Sequence, residues 1–76
     1  MKYYLFAFTN KLGQIHYSSL KLSDYSVALE FIRRWIACNA EVVKGRILAI
    51  SDHPYSNDEF DRIIFNYEDA EEVIVI

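Results

Sequence analysis

The sequence predicts a small α+β domain: a mostly antiparallel sheet with one amphipathic helix packed on one face, in the order ββαββ with a possible fifth strand. Three observations carry this. Aromatic and β-branched runs of strand length are bounded by turn formers. One stretch between them has an apolar stripe of helical period behind a capping residue. The chain has 76 residues, with two Gly and one Pro, which is room for a single domain, residues 1–76.

Lys2 to Phe8 is dense in Tyr and Phe, with apolar side chains on both parities (Tyr3, Leu5, Ala7 and Tyr4, Phe6, Phe8). Such a strand presents apolar groups to both faces of a sheet, as a central or interface strand does. Thr9 to Gly13 holds Asn10 and Gly13, residues that accept the positive φ of a hairpin loop. Gln14 to Leu20 returns as a second strand, with Ile15 and Tyr17 on one side and His16 and Ser18 on the other.

Ser23 is the expected N-cap of the helix, with Asp24 beside the positive end of its dipole. Leu22 and Val27 have the spacing of a hydrophobic staple. At about 100° per residue, Ser26, Glu30, Arg33, Arg34, Ala37 and Glu41 gather on one side, and Tyr25, Ala28, Leu29, Phe31, Ile32, Trp35 and Ile36 on the other. The helix therefore lies on a flat apolar surface. Cys38 to Ala40 should end it, and Lys44-Gly45 reads as a turn into the next strand.

Arg46 to Ser51 is apolar on both parities and rich in aliphatics, as an interior strand is. Asp52 to Glu59 concentrates turn formers and the only Pro, and reads as a loop. Arg62 to Tyr67, with Ile63, Ile64 and Phe65, favours a strand, the alternative being a short helix capped by Asn57 and started by Asp58-Glu59. Asn66 to Glu71 reads as a polar turn, and the β-branched stretch Glu72 to Ile76 as a last pairing strand.

One helix covers one sheet face, so the other should stand open to a partner. A domain of this size buries only about 60% of the surface its unfolded chain exposes. Its hydrophobic fraction, 53%, leaves some apolar surface outside. A homodimer formed through the open face or an edge strand, with Tyr4, Phe6 and Phe8 as the contact, is one consequence.

The composition excludes several classes. A single Cys makes no internal disulfide and fits a reducing, cytoplasmic setting, and Cys38 reads as a small buried apolar group. The longest apolar run, Tyr3 to Phe8, is too short for a spanning helix or an export segment, so the chain is read as a mature protein away from membranes. No phosphate-binding Gly loop or nucleophile elbow is present, and the chain is not expected to be an enzyme or to hold a cofactor. Ser51-Asp52-His53 has the residue types of a hydrolytic triad, but adjacent positions do not converge as triad members must, and the segment reads as a turn before Pro54. Asp52, His53, Asp58, Glu59 and Asp61 could ligate a cation by number, yet lack the spacing of a calcium loop or a zinc site. Trp35 reads as a core residue of the helical stripe.

Charge is unevenly distributed. Met1 to Ser51 carries seven Lys and Arg against three acids, a net +4, and Asp52 to Ile76 carries one Arg against eight acids, a net −7. Carboxylates on such a segment can imitate a line of phosphates and enter Lys/Arg grooves that normally hold nucleic acid. The expected partner-binding residues are Asp58, Glu59, Asp61, Glu68, Asp69, Glu71 and Glu72, with Tyr55 and Tyr67 as aromatic anchors. Direct phosphate binding by Arg33, Arg34, Lys44 and Arg46 is disfavoured by the net charge of −3, and ordinary solubilising charge is the plain alternative.

From Gln14 to Ile50 the layout is a hairpin strand, Leu22-Ser23-Asp24, Ala28-Leu29-Glu30-Phe31 with Trp35, then an apolar strand. This resembles small bacteriophage proteins that bind and disable host machinery, among them phage inhibitors of bacterial RNA polymerase and some anti-CRISPR proteins. The likeness covers about half of the chain, carries over no functional residue by position, and leaves Asp52 to Ile76 without a counterpart in the polymerase inhibitors. It implies a stoichiometric inhibitor in which acidic groups meet a basic surface on a host protein or protein–nucleic-acid complex.

Overall fold

The computed structural model describes residues 1–65 and the backbone of residues 72–73. It is an α+β fold with β1 (Lys2–Asn10), β2 (Ile15–Leu22), α1 (Tyr25–Cys38), β3 (Val42–Ser51), α2 (Asn57–Phe65) and the short β4 (Glu72–Val73). The strands lie in the order β2-β1-β3-β4, and every neighbouring pair is antiparallel. The predicted polar turn at 66–71, and the part of the last strand beyond residue 73, lie outside the described residues.

The β1–β2 hairpin closes as its composition requires. The Asn10 side-chain oxygen accepts the backbone N–H groups of Leu12 and Gln14, each at 2.9 Å, and Gly13 takes a φ of +81° that a side chain would strain.

β1 is the central strand, and its two parities serve two layers. Tyr4, Phe6 and Phe8 are buried with Ala28 and Ile32 of α1 and Ile47 of β3, and Phe31 and Trp35 pack on that cluster. These three rings are therefore core, which corrects their expected role as a dimer contact. Leu5 and Ala7 point to the opposite face and are equally buried. Tyr17, the cross-strand partner of Ala7, meets Phe60 of α2 edge-on at 5.6 Å. The second face is thus covered by α2, where the sequence pattern left it open.

That second helix replaces the strand expected over 62–67. The cause is a capping box. The Ser56 hydroxyl accepts the Glu59 amide at 3.2 Å, and the Glu59 carboxylate accepts the Ser56 amide at 3.3 Å and its hydroxyl at 3.0 Å. Helix geometry then brings Phe60, Ile63 and Ile64 to one side, so the β-branched pair that suggested a strand becomes an inward helical face.

Three further local expectations change. The N-cap of α1 is Asp24, whose carboxylate accepts the Val27 amide at 3.0 Å, in place of Ser23. Cys38, the last residue of α1, is exposed instead of buried. Lys44-Gly45 continues β3 where a turn was expected, with Gly45 opposite Phe8. Here the helix presses close: a Cβ on Gly45 would lie 2.7 Å from Ile32 Cγ2 and 3.2 Å from the Phe8 ring. Farther along β3, Leu48 is an extra residue between the pairs Phe6–Ile47 and Leu5–Ala49, a bulge that re-aims the strand end. Among the described residues no helix is long and apolar enough to cross a membrane.

Candidate functional site

The segment joining β3 to α2 is anchored at three points. Lys2 Nζ donates to the Asp52 carboxylate at 2.6 Å, and this contact raises the lysine pKa and lowers that of the aspartate. The Tyr55 hydroxyl donates to the Tyr3 carbonyl at 2.8 Å. His53 bridges the ends, with Nδ1 3.0 Å from the Ser51 hydroxyl and Nε2 2.8 Å from the Glu59 carboxylate.

This bridge joins Ser51, His53 and Glu59, whereas Asp52 turns away to Lys2. Glu59 is lowered from the usual carboxylate value of 4.5, first by the His53 bond and then by the two Ser56 groups. An ionised Glu59 accepts only, so a neutral His53 must carry its proton on Nε2, and Nδ1 accepts from Ser51. The Ser51 oxygen also accepts the His53 amide at 3.2 Å, so its bonds are those of a turn that fastens α2 to the end of β3.

The predicted partner-binding residues therefore divide. Glu59 faces inward to its own helix start and His53, and Tyr55 is half-buried with its hydroxyl engaged by β1. Asp58 and Asp61 are exposed. Glu72 has its backbone opposite Arg46 in the β3–β4 pair. Tyr67, Glu68, Asp69 and Glu71 lie outside the described residues.

One exposed residue of α2 is not singled out by the sequence pattern. Phe65 is 89% exposed, the most exposed of the large apolar side chains among the described residues. At 100° per residue Asp58, Asp61 and Phe65 fall on one ridge of α2, opposite Phe60, Ile63 and Ile64, with Arg62 along its border. The signal was present in Ser56-x-x-Glu59, since a capping box there sets the helical register that aligns the three.

A second feature lies on the α1 side of the sheet. Between the hairpin end of β1 and β2 and the C-terminus of α1 is an open cleft of about 730 Å³. Its floor is a stack in which the Trp35 indole lies nearly parallel to Phe8 at 4.9 Å and to His16 at 5.8 Å. Asn39 ends the helix beside it, donating its side-chain amide to the Trp35 carbonyl at 2.8 Å. Trp35 is thus half-buried core on one side and cleft lining on the other. Among the described residues no three His, Cys, Asp or Glu side chains group so as to hold a metal ion.

Compared with family models, with curated proteins and with solved structures, the chain matches none.

Proposed function

We propose that this chain is a non-enzymatic, cytoplasmic binding protein that inhibits a host nucleic-acid-handling complex by docking the outward ridge of α2 into a basic site. The observation that carries the reading is the alignment of exposed Phe65 with Asp58 and Asp61. An aromatic anchor rimmed by carboxylates suits a partner that offers an apolar pocket bordered by Lys or Arg. Tyr67, Glu68, Asp69, Glu71 and Glu72 follow directly in the chain and extend the same acidic character. Anti-CRISPR or host-takeover inhibitors are the class this describes.

The test is capture from a host lysate on immobilised wild-type chain and on an Asp58→Lys, Asp61→Lys, Phe65→Ala variant. The reading expects a basic protein retained by the wild type, displaced by added DNA and by salt, and absent from the variant at unchanged thermal midpoint. Equal capture by the variant, or a partner indifferent to DNA, contradicts it.

A homodimer is the second reading, now through an edge. β2 forms one border of the sheet over eight residues, and among the described residues no strand pairs with its outer side. Light scattering that gives a monomer mass at every concentration removes it.

A further inference from the structure

We propose that the cleft at the C-terminal end of α1 binds a small organic cation, an ammonium group carried on an aromatic or apolar body. The volume, about 730 Å³, is that of a pocket for a compact ligand. Its titratable lining includes one carboxylate, Glu41, and one imidazole, His16. Glu41 is the only charged residue among the described lining residues, with no Lys or Arg to offset it. Trp35, half-buried at the cleft and backed by the buried Phe8 ring, supplies an aromatic face whose negative quadrupole attracts cations.

The arrangement is also preorganised. Phe8 and His16 are cross-strand partners, so the two rings support the indole together and hold it in place before any ligand arrives. Glu41 is exposed at the start of β3, and its carbonyl accepts the Lys11 amide at 2.8 Å, which fixes its backbone against the hairpin. An anion would meet this carboxylate with no Lys or Arg of the described lining to receive it, and a neutral apolar body would leave it unused. The site lies across the sheet from α2, so it stands independently of the docking ridge.

The probe is benzyltrimethylammonium, titrated against 3-phenylpropionate and benzyl alcohol. Trp35 is the only tryptophan, so its emission reports occupancy directly. The proposal expects saturable emission change with the cation alone, amide shifts centred on His16, Trp35 and residues 38–41, and an affinity lowered about fivefold by Glu41→Gln. Equal binding of 3-phenylpropionate, an unaltered affinity in Glu41→Gln, or shifts centred on Asp58 and Asp61 instead, as diffuse attraction to an acidic chain would give, overturns it.

Discussion

The Tyr55 hydroxyl donates to the main-chain carbonyl of Tyr3 at 2.8 Å, tying the segment before α2 to the start of strand β1 across 52 positions of sequence. Burial, and after it the Glu59 charge, push the Tyr55 pKa up to about 12 from an ordinary 10.0. The folded state therefore holds this proton more tightly than the unfolded state. The associated stability is complete below pH 10.0 and is lost as pH rises toward about 12. Tyr55→Phe should lower stability by about 1 kcal/mol at neutral pH. Thermal melts from neutral pH to pH 12 should also show a shallower alkaline decline in the variant.

Glu59 works in the opposite direction. Its folded pKa is lowered, so its contribution is present above the ordinary 4.5 and is lost as pH falls through the depressed value. Glu59→Gln should flatten the acid limb of the melting profile. Circular dichroism should show the loss concentrated in helical signal, because the same carboxylate closes the capping box of α2.

Gly45→Ala places a methyl group 2.7 Å from Ile32 Cγ2, on a β-branched side chain that has little room to rotate. Overpacking of this kind costs about 1–3 kcal/mol. Urea denaturation should show the midpoint falling with an unchanged slope, and Gly13→Ala should act through its positive φ instead, with no such contact.

The start of α1 separates two adjacent residues. Asp24→Ala removes the acceptor for the Val27 amide and should cost about 1 kcal/mol, seen as a fall of roughly 5 °C in thermal midpoint. Asp24→Asn, which keeps an acceptor oxygen, should restore most of it, and Ser23→Ala should change little.

The periodicity around Ile32 and the two-sided apolar pattern of Tyr3 to Phe8 made α1 and the central strand legible, because both patterns report which way side chains face. Local chemistry that depends on a distant neighbour was not legible. Gly45 looked like a turn former, and only the approach of Ile32 from α1 explains a glycine inside a strand. Ser23 and Asp24 are both good caps, and composition does not choose between them. At α2 the β-branched pair Ile63-Ile64 favours a strand over a helix capped by Asn57, and the reciprocal bonds of Ser56 and Glu59 decide the outcome in the fold. The cover on the second sheet face and the alignment of Phe65 with Asp58 and Asp61 both follow from that helix.

The account rests on α2 lying on the sheet with Phe60 turned in and Phe65 turned out. NMR on the labelled chain, with a soluble paramagnetic agent added, measures both at once. Nuclear Overhauser contacts between the Tyr17 and Phe60 rings, with strong solvent bleaching of Phe65, are the predicted result. A Phe65 ring protected from the agent and in contact with Tyr17, or an extended backbone over 57–65, contradicts it.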